Sequence, residues 1–258
     1  PIIQNPINVE RKGENKKNLR VVIVGGGPSG LTTGILLRRQ GHHVTVLERA
    51  PRIGRKVCGE YLSPQGVSLY RKLDLDASLQ DFPLVKGMYI TSPEGHALDC
   101  HFPGDQNCGV SLQRDVFEKF LKDEFLRLGG KFESGVHVVS FDFLPQENHW
   151  KILTKDLQKP FYEAELLIGA DGRGSFVAKE LGVQCQLHGK RKGRIALHAF
   201  LKPHQEKTKR RGEMHILGQG AYVGINPVEE GADNVSLVFD YEEYKNMRQQ
   251  QKLNLKHQ

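Results

Sequence analysis

The chain has 258 residues, of which 38% are hydrophobic and 26% charged, with a formal net charge of +7. This length suits one large domain or two small ones, and the mean hydropathy of −0.47, with no long apolar run, excludes a transmembrane helix. Residues 1–19 are polar, so we expect a flexible leader and no secretory signal. The four cysteines have neither CxxC nor zinc-ligand spacing. That pattern argues against a disulfide framework or bound metal and favours a reducing, cytoplasmic setting.

A strand–helix–strand unit begins at Arg20. Arg20–Val24 is a β-branched apolar run typical of a buried parallel strand, and residues 28–40 follow as a helix. Residues 43–47 predict the next strand, which completes a βαβ unit. The residues predicted on the apolar helix face are Leu31, Ile35 and Leu36.

Helical and β patterns follow along the rest of the chain. Helices are predicted at 63–73, 115–128 and 241–258, the second with Val116, Phe117, Phe120, Leu121 and Leu128 at helical spacing. Strands are predicted at 88–91, Ala97–His101, 136–143, 150–154, 165–170, Arg194–Leu201, 213–217, 222–225 and 234–239. The strand at 165–170 is expected to be buried.

The turn between the first strand and helix is rich in glycine. Its Gly-x-Gly-x-x-Gly spacing, between a strand and a helix, is the fingerprint of dinucleotide binding. Glycines permit a tight turn and close approach of a pyrophosphate to the backbone, while the helix N-terminus offers N–H groups to the phosphates. Gly30 and Gly34 are expected to let helix and strand pack closely, and φ at Gly27 is expected to be positive. The predicted cofactor-binding residues of this turn are Gly25, Gly26, Gly27, Pro28, Ser29 and Gly30.

Glu48 completes the fingerprint at the end of the second strand, 18 residues after Gly30. A carboxylate there accepts hydrogen bonds from ribose hydroxyls and would repel the 2′-phosphate of NADP. The alternative is a surface charge at a strand end. A second motif, from Gly169 to Ser175, joins a strand to a helix through Gly169-Ala170-Asp171-Gly172. By itself this segment also suits an ordinary strand-to-helix turn.

With these two motifs the chain resembles the FAD-dependent oxidoreductases of the aromatic-hydroxylase and geranylgeranyl-reductase superfamily. The resemblance covers about residues 20 to 240. Three further stretches carry it: Lys56 to Glu60 with Leu62 to Pro64, Val110 to Arg114, and Tyr222 to Val228 with Asn234. The fold it implies is α/β, with a doubly wound Rossmann-type FAD-binding domain and an inserted β-rich substrate domain.

The resemblance also implies roles for individual residues. Glu48 and Arg49 would hold the adenosine ribose and a neighbouring phosphate, and Val138 would offer its backbone to the adenine. Asp171 would lie near the pyrophosphate or the nicotinamide donor. By the same resemblance, Arg114 would steady the cofactor. Arg55 and Cys58 would lie on the loop that faces the flavin ring. Arg114 has the alternative of a surface arginine at a helix start, and Cys58 that of an inert small apolar residue.

A third motif of the resembled family, a Gly-Asp followed by alanines, a proline and glycines, is not found. The single Gly-Asp, at Gly104, precedes Gln-Asn-Cys. We therefore expect a chain that lacks the C-terminal part of the family, binds ADP-like groups, retains FAD weakly, turns over no substrate and self-associates. The predicted layout is a leader at 1–19, FAD-binding segments at 20–86 and 109–185, a substrate-domain hairpin at 87–108, a β-rich substrate domain at 186–240 and a polar helix at 241–258.

The positive charge is concentrated in residues 186–212, which hold nine Lys or Arg and one Glu and so carry a net +8. The segment is either a solvated loop or a patch for an anionic partner: a nicotinamide phosphate, an acidic carrier protein or a membrane surface. No nucleic-acid motif accompanies it, so nucleic acid is not expected.

The leading functional interpretation is an FAD-dependent oxidoreductase that takes electrons from NADPH or NADH and acts on a hydrophobic or aromatic small molecule. It covers both monooxygenases and double-bond reductases, and the segment from Cys58 to Glu60 favours the reductases. The alternatives are a catalytically inactive nucleotide-binding or interaction protein of the same fold and, less favoured, an NAD-dependent Rossmann enzyme or a SAM methyltransferase.

Overall fold

The architecture was analysed in a computed structural model that describes residues 18–104, 107–183, 193–202, 211–228 and 231–254. The chain forms two compact units. The first is built from the residues up to Arg49 and from Phe125–Gly174; the second is built from Ala50–Glu124 and the residues from Ser175 onward. No helix in these described ranges is long and apolar enough to cross a membrane.

Sixteen strands and five α-helices follow one another in the described residues. The strands are β1 (Arg20–Val24), β2 (His43–Glu48), β3 (Tyr61–Leu62), β4 (Leu84–Val85), β5 (Gly87–Thr91), β6 (Ala97–His101), β7 (Gly109–Ser111), β8 (Lys131–Ser134), β9 (Val138–Leu144), β10 (His149–Thr154), β11 (Phe161–Ala164), β12 (Leu166–Gly169), β13 (Arg194–Leu201), β14 (Gly212–Gly218), β15 (Ala221–Val228) and β16 (Ala232–Asp240). The helices are α1 (Pro28–Arg39), α2 (Pro64–Lys72), α3 (Arg114–Arg127), α4 (Phe176–Glu180) and α5 (Tyr241–Asn254), with a short 3₁₀ turn at Asp76–Leu79.

The first unit contains a parallel sheet in the order β12-β1-β2-β8. β1 pairs with β2 on one side and with β12 on the other, and both pairings are parallel. Four of the five residues of β1 are buried, as its apolar sequence predicts, and the strand has a neighbour on each side. An antiparallel sheet, β11-β10-β9, belongs to the same unit. The carboxyl ends of β1, β2 and β12 therefore meet at one edge, where ligands of open α/β sheets bind.

The second unit is dominated by a mixed six-stranded sheet in the order β13-β16-β15-β14-β5-β6. All its pairings are antiparallel except that of β14 with β5. A small sheet, β3-β7-β4, the helices α2, α4 and α5, the 3₁₀ turn and the N-terminal part of α3 also belong to this unit. The combination of a parallel α/β sheet with a β-rich region confirms the fold class predicted from the sequence.

Two predictions about burial are wrong. The strand at 165–170 was expected to be buried, but in β12 Leu166 is 37% exposed and none of the four residues is fully buried, because β12 is an edge strand. In α3, Val116 was expected on the apolar face but is 42% exposed, whereas Phe125 is completely buried. The buried stripe of α3 is Phe117, Leu121 and Phe125, a strict i, i+4, i+8 row.

The bounds of the other predicted helices and strands agree with the observed ones to within a few residues. The predicted helix at 241–258 is observed as α5, and residues 255–258 lie outside the described residues. The predicted basic segment, 186–212, also falls largely outside them: the structure describes only 193–202, 211 and 212 of it. The predicted layout of domains remains a prediction.

Candidate functional site

The glycine-rich turn joins β1 to α1 in the first unit. Gly25 follows β1 directly, adopts a φ of +110°, and donates its N–H to the Leu47 carbonyl at 2.8 Å. Side chains are rarely tolerated at this φ, so the turn requires glycine here. At Gly27 the expectation of a positive φ is wrong: its φ is −77°, an extended conformation open to any residue.

Glu48 is fastened to this turn. Its Oε2 accepts a hydrogen bond from the Gly26 N–H at 2.7 Å. A side chain on Gly26 would lie 2.9 Å from the Glu48 Cβ and 2.7 Å from the Phe132 ring. The backbone of the turn therefore lies directly against the end of β2, and Glu48 is a structural partner of the turn as well as the predicted ribose ligand.

The N-terminus of α1 lies at the same place, and its first N–H donors belong to Ser29 and Gly30, because Pro28 has no N–H. Gly27 is the N-cap, Pro28 follows it, and Ser29 is exposed. No side chain caps this helix end and no acidic residue lies in its first turn, as far as the described residues show. Such an N-terminus provides N–H donors and a positive dipole end for an anion.

Close packing around α1 explains two further glycines. A side chain on Gly30 would overlap the Gly25 carbonyl, so Gly30 lets the helix start next to the turn. A side chain on Gly34 would lie 2.9 Å from the Phe125 ring. Gly34 therefore makes room for the C-terminal part of α3, not for a strand as predicted.

The second motif meets the first. The Ala170 N–H donates to the Val24 carbonyl at 2.8 Å, which extends the pairing of β12 with β1. A side chain on Gly25 would overlap the Ala170 carbonyl and lie 2.8 Å from the Asp171 Cα. Two segments about 145 residues apart in sequence thus form one edge of the sheet.

Two other predicted residues lie in the first unit. Arg49 is exposed directly after β2. The Val136 N–H donates to the Glu48 carbonyl at 3.0 Å. This bond holds the segment before β9 next to the end of β2, and the buried Val138 is the first residue of β9. The structure therefore brings the glycine turn, Glu48, Val138 and Asp171 into a single unit.

This arrangement fits the ADP part of a dinucleotide. Side chains on Gly25, Gly26 or Gly30 would collide with neighbouring protein atoms, so the glycines keep the turn compact. The N-terminus of α1 offers donors to phosphate, and a carboxylate stands at the end of the next strand. The chemistry of these groups suits a pyrophosphate and a ribose.

Arg55, Cys58 and Arg114 belong to the second unit. The exposed Arg55 guanidinium lies 4.7 Å from the centre of the Phe200 ring, a cation–π distance. Arg114 is the first residue of α3 and is half-buried, with its Nε donating to Glu118 at 2.8 Å. Burial lowers the pKa of Arg114, but hydrogen bonds to Glu118 and Cys58 raise it by more. Arg114 is thus an anchored, half-buried residue, and Cys58 contacts it.

Sequence reasoning missed the polar groups that hold the segment from Cys58 to Glu60. The Asn226 side chain donates to the Gly59 carbonyl at 2.8 Å, and two side chains, Asn234 and Ser236, donate to the Cys58 carbonyl at 3.2 Å. Asn234 and Ser236 are buried. The sequence feature that could have found them is a polar residue inside an otherwise apolar strand, because a buried polar side chain needs a hydrogen-bond partner.

A scan against known protein families matches residues 18–254 to the family described as "FAD binding domain". The chain belongs to the FAD-binding domain family. FAD is therefore the dinucleotide that the glycine turn fits.

Curated relatives include a monooxygenase and a reductase. The chain is 27% identical over 176 residues to an aurachin C monooxygenase/isomerase of Stigmatella aurantiaca, covering 64% of this chain and 43% of that protein. It is 25% identical over 167 residues to a digeranylgeranylglycerophospholipid reductase of Methanococcus vannielii, covering 64% and 40%. The chain therefore spans less than half the length of these relatives.

Solved structures agree on the fold. The flavin-dependent halogenase CmlS superposes with a TM-score of 0.77 at 22% identity, over 91% of this chain and 44% of that protein. The halogenase PltM, solved in complex with FAD, has a TM-score of 0.72 at 17% identity, over 88% and 52%. The fold of the present chain is thus that of FAD-dependent enzymes.

Proposed function

We propose that this chain is the FAD-binding part of an oxidoreductase that acts on a hydrophobic or aromatic small molecule. The observation that carries the proposal is the convergence of the Gly25 turn, Glu48 and the segment from Ala170 to Asp171 on one sheet edge. Monooxygenase and reductase relatives support it.

Each part of the site has a task in this proposal. The N-terminus of α1 binds the pyrophosphate, and Glu48 holds the turn through Gly26 and accepts hydrogen bonds from the adenosine ribose. Arg49, Val138 and Asp171 line the same dinucleotide. When bound, FAD supplies the redox chemistry. The protein supplies binding and orientation.

Arg55, Cys58 and Arg114 of the second unit are proposed as further cofactor-binding residues, as the family resemblance implies. Arg114, held by Glu118, presents a fixed positive charge, and Cys58 of the loop from Arg55 to Glu60 contacts it. The six-stranded sheet is proposed as the substrate wall, because Asn226, Asn234 and Ser236 tie this loop to it. We favour double-bond reduction over hydroxylation, on the Cys58–Gly59–Glu60 resemblance.

Reconstitution with FAD tests the proposal. The purified chain is mixed with FAD, and binding is followed by quenching of flavin fluorescence; NADH and NADPH are then compared as electron donors by loss of the flavin colour without oxygen. A polyprenyl lipid and an aromatic acid serve as trial substrates. Oxygen uptake with product formation indicates a monooxygenase, and anaerobic saturation of a double bond indicates a reductase. Failure to bind FAD would contradict the proposal.

The expected surroundings of the protein also remain proposals. A cytoplasmic location accords with the free thiols of Cys58, Cys100 and Cys108. The basic segment 186–212 is proposed to contact an anionic partner, either a membrane surface or an acidic carrier protein, and vesicle sedimentation at low and high salt tests it. Self-association is tested by light scattering.

A further inference from the structure

Two buried carboxyl groups hold the start of α3 in the second unit. Glu60 is 3% exposed and Glu118 is 1% exposed. The Glu60 carboxylate accepts a hydrogen bond from the Arg114 backbone N–H, and the Glu118 carboxylate accepts one from the Arg114 Nε at 2.8 Å. Arg114 is therefore fixed twice, through its main chain by Glu60 and through its side chain by Glu118.

The two carboxyl groups differ in the groups that compensate their negative charge. Glu118 has a second cation, because Lys56 Nζ lies 2.9 Å and 3.2 Å from its two oxygens. Glu60 receives its hydrogen bond from a backbone group instead of a cation. The charged groups that act on it are Arg114 and Asp115 of α3 and Arg55 of the preceding loop.

Burial raises the pKa of Glu60 to about 7, and Asp115 adds to the rise. The hydrogen bond from the Arg114 backbone and the positive charges of Arg114 and Arg55 act in the opposite direction but do not cancel it. Glu60 therefore changes its charge close to neutral pH, whereas an ordinary glutamate is fully ionised there.

The backbone of Glu60 is held in place as firmly as its side chain. Glu60 has a φ of +50°, which is uncommon for a residue with a side chain. Its carbonyl accepts hydrogen bonds from the Leu112 N–H at 2.9 Å and from the Ser111 hydroxyl at 3.1 Å. The neighbouring carbonyls of Cys58 and Gly59 are bound by side chains of β15 and β16. The carboxyl group is thus kept against the N-terminus of α3 instead of turning to solvent.

We propose that Glu60 is a positioning residue whose protonation sets how strongly Arg114 binds the anionic part of FAD. The inference rests on the proposed function, in which Arg114 contacts the cofactor. An ionised Glu60 competes with that anion for the positive charge of Arg114 and Arg55; a neutral Glu60 leaves this charge to the ligand. By linkage, binding of the anion favours protonation of Glu60, so FAD and a proton bind together.

The test compares FAD affinity across pH in three proteins. Flavin fluorescence gives the Kd of FAD for the wild-type chain, Glu60→Gln and Glu118→Gln between about pH 5.5 and 8.5, the range around the titration of one group. The wild-type affinity should fall as pH rises through 7, by up to about tenfold per pH unit, the limit for one linked proton. Glu60→Gln should keep the low-pH affinity throughout. Glu118→Gln releases the Arg114 guanidinium from its ion pair and should shift the FAD affinity by the same factor at every pH, because Glu60 is still present in this variant and still titrates.

A fourth variant leaves Glu60 in place. Asp115→Asn removes the charge that raises the pKa of Glu60 and should move the midpoint of the pH profile downward. This variant keeps the test decisive if Glu60→Gln does not fold. A midpoint that stays unchanged in Asp115→Asn would count against the inference.

The remaining outcomes separate the inference from the proposed function. If FAD binds but Glu60→Gln keeps the wild-type pH slope, the inference is overturned and the function stands. If FAD binds at no pH, the proposed function fails. The carboxyl carbon of Glu60 is then followed by NMR in the ligand-free chain, with Glu60→Gln giving the assignment. Titration near 4.5, the ordinary value, overturns the inference independently of FAD.

Discussion

Gly25 lies directly against Ala170, so that any side chain on Gly25 would overlap the Ala170 carbonyl and approach the Asp171 Cα to 2.8 Å. The first belongs to the glycine fingerprint and the second to the motif that follows β12. Their contact makes the two motifs parts of one structure, because neither can shift without the other.

Gly25→Ala should therefore be strongly destabilising. The φ of +110° disfavours a side chain and the Ala170 backbone leaves no space for one. We expect a loss of about 2–4 kcal/mol in the free energy of unfolding, from backbone strain together with overpacking. Urea unfolding measures it.

Gly95→Ala is the matched control, because Gly95 also has a positive φ, +87°, but nothing within 4 Å of the added Cβ. It should lose only about 1 kcal/mol, the cost of the left-handed conformation. Equal losses in the two variants would mean that the contact with Ala170 does not matter.

Glu48→Ala should weaken binding of ADP and FAD by about 1.5–3 kcal/mol, the range of a charge-assisted hydrogen bond. The Gly26 N–H would also lose its acceptor, which now lies at 2.7 Å. Glu48→Gln keeps an acceptor oxygen and should lose less. Calorimetric titration with ADP distinguishes the variants, with the exposed Glu94→Ala as control. Unaltered ADP affinity in Glu48→Ala would show that Glu48 holds the turn but does not contribute to binding of the adenosine ribose.

The stability of the protein should depend on pH through Glu60. Its pKa is about 7 in the folded chain and near 4.5 when unfolded, so the folded state holds the proton more tightly. This stabilising contribution is complete below pH 4.5 and is lost as pH rises through 7. The size is at most about 3.5 kcal/mol, because the two pKa values differ by about 2.5 and a difference of one is worth about 1.4 kcal/mol.

Urea unfolding of the wild-type chain and Glu60→Gln at several pH values measures this contribution. The difference in unfolding free energy between the two proteins should change with pH in the stated direction and level off above 7. A difference that is constant with pH would show that Glu60 titrates normally.

The contact between Gly34 and Phe125 should make the effects of substitutions at the two positions on the free energy of unfolding non-additive. Gly34→Ala gains about 1 kcal/mol of helix propensity but places a Cβ 2.9 Å from a completely buried ring. Overpacking costs about 1–3 kcal/mol, so we expect a small net loss. In Phe125→Leu the ring is gone, and Gly34→Ala should then be neutral or stabilising. Additive effects in the double variant would contradict the contact.

Local features of the site were readable from the sequence. The strand before Gly25, the helix that starts at Pro28 and the carboxylate of Glu48 were placed correctly, because they depend on residues close together in the chain. The turn from Gly169 to Gly172 was found for the same reason. The resemblance to FAD-dependent enzymes rested on these motifs, and the family match confirms it.

The positions that depend on distant partners were decided only by the tertiary structure. Strand order makes β12 an edge strand, which sequence hydrophobicity does not report. The direction of α3 buries Phe125 and exposes Val116, although both are apolar. Glu60 looked like an ordinary residue of a glycine-containing loop, yet its neighbours remove it from water and raise its pKa. Desolvation is a property of the surrounding chain, and so the chemistry of this carboxyl group appears only when the fold has assembled around it.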